Sequence, residues 1–479
     1  MIVNNITEIQ NQPFEVIIIG SGPAGISTAL ELEEKKIKTL IIEAGSLDYN
    51  EKSLEFLHGE IIGDKYDDLS VTRLRQFGGT SGQWGGNCNL FEDFQLTEWP
   101  IKKNDLDIFL KKTSNILDIK KEFYHEDFNK HFNQFNLPWS KTRFRNKFYN
   151  KIKKSNYIFL LLNTIFMEFE GSNNVIKNIK CYQNNIYKLK AKYYVLSCGG
   201  IENSRTLLWS KFKNKNLFNE NIPIGKYYMD HPYHFAADGI INYKQLTNFL
   251  KNKKFQNKIF FSCYPHIYLS VKENFKKKEN ILSAGIYLKF ITNKKINKNL
   301  FEQITCLAPN FIKEVYEKNS FNDISQVQIN LLQEQEPLLE NRVELSSKLD
   351  PLNIPLSKIF WKKSPLIKKT AKILLEDLAK FFIEEKIGRL SINEYLFDNS
   401  NYETQVGYHQ LGGTRMGVSV YDSVVDKNLK FHEINNLFIN GSSVFRTGSY
   451  CHPTFTIVQL ALRLGDHLAD LCNQKIQIS

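Results

Sequence analysis

A chain of 479 residues, 42% of them hydrophobic, is long enough for two domains with extensive cores and too apolar for a disordered or fibrous polymer. Its formal charge of +12 comes from lysines dispersed among acids and asparagines, as at 251–254 and 276–278; this reads as a solvated basic surface, and no basic stripe with interleaved aromatics points to nucleic acid. No apolar run reaches the roughly 18 residues that span a bilayer, residues 1–13 lack a signal-peptide pattern, and seven scattered cysteines without a C-x-x-C pair suit neither a disulfide framework nor zinc; a cytoplasmic protein with reduced, buried thiols and no metal is expected.

In chain order, the apolar run Phe14–Ile19 predicts a strand, the glycine turn at 20–25 leads into a helix over 26–34, and Thr39–Ile42 is a second strand ending at Glu43. That opening is characteristic of a doubly wound parallel sheet. Glycine gathers again at 78–86, residues 106–117 have helical spacing, and 193–198 form a short buried strand followed by a helix over 201–209. Between about 222 and 350 the pattern changes to longer alternating runs, at 233–241, 259–271, 281–291 and 326–333, which suit an antiparallel sheet with one solvated face. An amphipathic helix follows over 367–385, and Pro453 opens a final helix reaching about Leu471. The expected fold is α/β: a Rossmann-type nucleotide-binding domain in two pieces, 1–220 and 401–479, with an α+β substrate domain on a mostly antiparallel sheet, 221–400, inserted between them.

The G-x-G-x-x-G of Gly20, Gly22 and Gly25 has a mechanical purpose: a tight turn, close approach of backbone to a pyrophosphate, and close packing of helix on strand. The phosphates then sit at a helix N-terminus, where free N–H groups favour negative charge. Glu43 ends the second strand, where a carboxylate accepts hydrogen bonds from a ribose. These residues do not separate FAD from NAD.

Further along, Arg75 to Gly86 reads RQFGGTSGQWGG, Val195 to Arg205 reads VLSCGGIENSR, Gly225 to Pro232 reads GKYYMDHP, Tyr408 to Gly417 reads YHQLGGTRMG, and His452 to Thr456 reads HPTFT. With Trp99-Pro100-Ile101 and Asn341 to Ser346, these segments resemble, in order, the motifs of the glucose-methanol-choline (GMC) oxidoreductases, in style nearest their pyranose-oxidase-like branch. The resemblance covers most of the chain and is weakest in the inserted region. It implies bound FAD, contacted by Gly79, Thr80, Ser81, Trp84 and Gly85 along the flavin ring, by Gly441 and Ser442, and by Pro453 and Thr454 at the start of the last helix. Some relatives attach flavin through a histidine at the position of Gln83; glutamine cannot form that bond, so dissociable FAD is expected. The family's V-D-x-S is replaced by Ile439-Asn440-Gly441-Ser442, which removes one carboxylate near the cofactor.

Alcohol oxidation needs a base beside the flavin that takes the hydroxyl proton while hydride leaves carbon for N5, and histidine is the usual choice. His409, before a run of glycines, is assigned as that base, and His452, before Pro453, as the residue that holds the substrate oxygen or shares the proton. His231 and His234 are read as structural. The expected partners are a small alcohol, which the likeness to the pyranose-oxidase-like branch implies to be a sugar or polyol, and an electron acceptor that is oxygen or another redox carrier. Three other readings remain: a cyanohydrin-type lyase on the same fold, an NAD-dependent dehydrogenase that leaves the C-terminal motifs idle, and a non-enzymatic flavin-binding protein.

Overall fold

The computed structural model describes residues 1–252, 266–291, 298–317, 324–398 and 404–474. At its centre is a six-stranded parallel sheet in the order Ile2–Val3, Ile158–Leu161, Thr39–Ile42, Phe14–Ile19, Ala191–Leu196, Leu437–Ile439. Its central strands are mostly apolar because both faces are covered, polar residues such as Glu15 and Lys192 lying near their starts, and Val16, Ile17 and Ile18 are fully buried. On one face the helix Pro23–Glu34 packs against the long C-terminal helix Thr454–Gln474. Gly465 permits that approach, since a Cβ there would lie 2.5 Å from the Cβ of Glu31. The last helix therefore completes the nucleotide fold begun at residue 14.

A larger antiparallel sheet runs Gly388–Ile392, Pro232–Asn242, Ile324–Gln333, Ala284–Ile291, His266–Val271, Phe132–Phe135, His125–Asp127, with Gln405–Val406 pairing the start of Pro232–Asn242. Alternation sorts its two faces. Ile286, Leu288 and Phe290 join Leu374, Leu375 and Leu378 of the helix Pro365–Glu384 in one core, while Tyr287 and Lys289 point the other way, into a cavity.

Several features differ from the sequence-based expectation. The strand anticipated over 259–271 is described from His266, and 259–265, like Cys263 and Lys253-Lys254, lie outside the described residues. Two strands of the antiparallel sheet, His125–Asp127 and Phe132–Phe135, come from well before residue 221, and Pro355–Trp361 pairs with Gly59–Gly63. A three-stranded antiparallel sheet over Ile165–Ser172, Val175–Gln183 and Asn185–Leu189 was not anticipated at all. Its turns are made by Asn173, Asn174 and Asn184 at positive φ, a conformation asparagine tolerates better than most residues. Cys88, Cys181, Cys451 and Cys472 are buried as expected, but Cys198 is half-buried and Cys306 exposed. No helix among the described residues is long and apolar enough to cross a membrane.

Candidate active site

A cavity of about 890 Å³ extends from the carboxyl ends of the parallel strands to the open face of the antiparallel sheet. Ligands of doubly wound sheets bind at those strand ends. Gly20, at φ +100°, makes the turn, and a Cβ on it would meet the Ser197 carbonyl oxygen at 2.5 Å. Gly25 does not line the cavity; it lets helix meet strand, with a Cβ there falling 2.0 Å from the Gly20 carbonyl oxygen. Gly22, Gly85 and Gly199 border the cavity, and a Cβ on any of them would meet nothing within 4 Å. Gly22 also caps the Pro23–Glu34 helix without any side-chain bond, leaving the first-turn N–H groups to an anion.

Glu43 is buried beside this turn, accepting from Ser21 N at 3.0 Å, Ser21 Oγ at 2.6 Å and Gly45 N at 2.8 Å. Two oxygens offer about four acceptor positions, so one remains for a ligand hydroxyl. Gly79, Thr80, Ser81, Trp84, Gly85, Gly441, Ser442, Pro453 and Thr454 all line the same cavity. Trp84 is held by its Nε1 donating to the Thr142 carbonyl at 2.9 Å, and Ser442 Oγ by donating to the Gln410 carbonyl at 2.6 Å. A flavin dinucleotide therefore fits: the glycines leave room for pyrophosphate where donors converge. Asn440 is turned away, donating to Thr28 Oγ1 at 3.0 Å and accepting from Gly441 N at 2.7 Å, so it shapes the turn instead of facing the cavity.

At the other end lie His409 and His452, their ring centroids 5.0 Å apart. His409 arrives on the loop after Gln405–Val406, its N–H donating to Asp230 Oδ1 at 2.8 Å. His452 N donates to Asn89 Oδ1 at 2.7 Å, while its ring Nδ1 is buried without a partner among the described residues. His231, read from sequence as structural, is in direct contact with the pair: its Nδ1 lies 2.8 Å from His409 Nδ1 and its Nε2 3.1 Å from the Gly448 carbonyl oxygen. His234 is bonded to Tyr395 and Gln333, and Arg415 stacks on Tyr227 at 3.3 Å, both away from the cavity.

Burial pushes His231 down to about 4, His452 to about 3 and His409 well below the ordinary imidazole value, with the neighbouring rings His452 and His231 adding to the last. All three rings are neutral at pH 7, as a base must be. Buried Asp230 moves the other way, to about 7. The consequence for stability has a definite sign. The depressed rings, including His234 at about 4, bind fewer protons folded than unfolded below pH 6.5, so stability is lost as the pH falls through that window. Asp230 opposes this, being protonated in the fold where the unfolded carboxyl ionises. With these four rings, and His432 and His467 also lowered by burial, against Asp230 and the likewise raised Asp238, the melting temperature is expected to fall between pH 7 and pH 5, each strongly depressed ring contributing up to about 1.4 kcal/mol per pH unit. Calorimetry across that range tests this, and a flat or rising profile would contradict it.

Sequence reasoning missed two further groups. Arg73 and Arg205 flank Glu202 at 2.9 and 3.0 Å, and Arg205 also meets Asp350 at 2.6 Å, a buried network near Glu43. On the sheet, Tyr233, Tyr268, Tyr287, Lys289 and Asn330 form the wall facing the histidines. Only Tyr287 and Lys289 share a strand at a spacing of two, and the sheet alone places all five together.

Comparison with known proteins agrees with this arrangement. A family model described as an FAD binding domain matches residues 15–48, the first strand, glycine turn and Glu43, and one described as GMC oxidoreductase matches residues 337–461, which include both His409 and His452. The chain is 25% identical over 297 residues to the fructose dehydrogenase large subunit of Gluconobacter japonicus, covering 58% of this chain and 47% of that protein. It is 40% identical over 63 residues to 2-methyl-1,2-propanediol dehydrogenase of Mycolicibacterium austroafricanum, 13% of this chain and 11% of that one. Both matches thus span less than half the relative's length. Among solved structures, formate oxidase is similar at a TM-score of 0.59 and 13% identity over 97% of this chain and 99% of that one. Pyridoxine 4-oxidase from Mesorbium loti reaches 0.60 at 12% over 95% and 99%; at such identities the likeness is one of fold. The two family matches fall on the glycine cradle and on the histidine loop that the fold brings to one cavity; over those segments the chain is similar to the GMC oxidoreductases, and FAD is the cofactor they indicate.

Proposed function

We propose that the protein is an FAD-dependent oxidoreductase that oxidises a CH–OH group to the carbonyl, with His409 as the base. The observation that carries this reading is the meeting of two half-buried, neutral histidine rings, 5.0 Å apart, in the same cavity as the glycine cradle. When bound, FAD supplies the acceptor for the hydride that leaves the alcohol carbon. His409 takes the hydroxyl proton on its ring, and His452, whose Nδ1 has no partner among the described residues to fix its tautomer, holds the substrate oxygen as donor or acceptor. The N-terminal end of the Thr454–Gln474 helix, where Pro453 and Thr454 line the cavity, would favour negative charge on a group held there. The segment of approximately 221–400, with the strands His125–Asp127, Phe132–Phe135 and Gln405–Val406 that complete its antiparallel sheet, serves as the substrate domain, and the remaining segments as the FAD-binding domain.

The tyrosines and Asn330 of the wall suit a polar alcohol such as a sugar or polyol. The fructose dehydrogenase likeness points the same way. Anaerobic addition of sugars, polyols and simple alcohols to the purified holoprotein tests the proposal: one of them should bleach the oxidised flavin spectrum. A spectrum unchanged by the whole panel would favour the lyase reading. FAD is held without a covalent link, Gln83 being unable to form one, so acid precipitation should leave the flavin in the supernatant; a coloured pellet would refute this.

A further inference from the structure

We infer that His231 is a positioning residue that fixes the proton of His409 on Nδ1 and so leaves Nε2 as the basic atom. The inference rests on the reading of His409 as base. The geometry reads as a chain of hydrogen bonds with one direction. A carbonyl oxygen only accepts, so the 3.1 Å contact with Gly448 places a proton on His231 Nε2. A neutral imidazole carries one proton, so His231 Nδ1 is an acceptor. The ring nitrogen 2.8 Å from it, His409 Nδ1, is then the donor, and the remaining nitrogen of His409, Nε2, keeps its lone pair.

The surroundings hold this arrangement. Asp230 Oδ1 accepts both the His231 N–H at 2.7 Å and the His409 N–H at 2.8 Å, which clamps the two backbones together, and Asp230 Oδ2 accepts from Tyr66 at 2.5 Å. A Cβ on Gly448 would stand 3.0 Å from His231 Nε2, and one on Gly407 2.9 Å from His409 Nδ1, so glycine on either side permits the rings their contacts. His231 is fully buried, and burial keeps it neutral. A charged His231 would donate from both nitrogens and reverse the chain, placing the His409 proton on Nε2. In serine hydrolases a carboxylate gives the catalytic histidine its tautomer, and losing that partner costs about 10⁴-fold; here a neutral imidazole anchored to a backbone carbonyl serves instead. His452 has no such anchor on its Nδ1 among the described residues, which separates the two histidines by role.

The test has two independent readouts. Ring-nitrogen NMR of the histidine-labelled holoprotein should show His409 with a protonated Nδ1 and a bare Nε2; the opposite tautomer overturns the inference whether or not any alcohol is oxidised. Kinetically, His231→Leu, which cannot accept, should retain FAD and substrate affinity while slowing flavin reduction by about 10²–10⁴-fold. His231→Asn, whose Oδ1 can stand for Nδ1, should recover most of that loss. Wild-type reduction by His231→Leu, or equal loss in both variants at unchanged FAD content, would overturn the positioning role. Should His231→Leu fail to fold, the NMR result on the native protein decides alone.

Discussion

His409→Ala is expected to purify with its full complement of FAD yet reduce that flavin about two to four orders of magnitude more slowly with substrate, the loss usual for removing a positioned general base. The cofactor should stay because the cradle is built elsewhere, from the turn at Gly20–Gly22, the segment around Trp84 and the Gly441-Ser442 turn. Stopped-flow absorbance under anaerobic conditions separates the two effects, since FAD content is read before mixing and reduction after it. Near-normal reduction would remove His409 from the role of base and leave His452 as the alternative. Because the native ring is held neutral by burial, the wild-type rate should stay level as the pH falls through 6.5, where an exposed histidine would lose activity.

Gly22→Ala and Gly25→Ala should separate binding from folding although the two positions share one motif. Gly22 has φ −70°, which alanine adopts freely, and its new methyl would meet no protein atom within 4 Å. The apoprotein should therefore melt as the wild type does, while the methyl occupies space a pyrophosphate needs; an overpacking cost of about 1–3 kcal/mol corresponds to roughly one to two orders of magnitude in FAD affinity. At Gly25 the methyl would fall 2.0 Å from the Gly20 carbonyl oxygen, a backbone atom that cannot swing aside, so helix and strand must part. That variant should lose thermal stability with or without FAD. Flavin titration and melting curves on both apoproteins check this, and an unstable Gly22→Ala beside a stable Gly25→Ala would reverse the assignment.

What was legible in the sequence was local. The Phe14–Ile19 and Thr39–Ile42 strands, the turn between them and the helix Pro365–Glu384 announce themselves because periodicity and glycine placement act over a few residues. The hairpins over 165–189 were missed although asparagines marked their turns, since alternation there is blurred by partly buried residues on both faces. The strand at Phe132–Phe135 has only four residues, too few to reveal that it extends a sheet formed mainly beyond residue 232.

The sequence by itself determined the nucleotide-binding turn, singled out His409 and His452, and, through ordered motifs, the kind of cofactor, because each is written in contiguous residues. Only the tertiary structure decided that His231 touches His409, that Asn440 turns away while Gly441 and Ser442 face the cavity, and that Tyr268, Tyr287 and Lys289 form one wall. Those facts depend on sheet register and on a loop from residue 409 reaching a strand that starts at 232. Hydrogen bonds and shared faces between segments so distant in the chain leave no pattern in either segment alone.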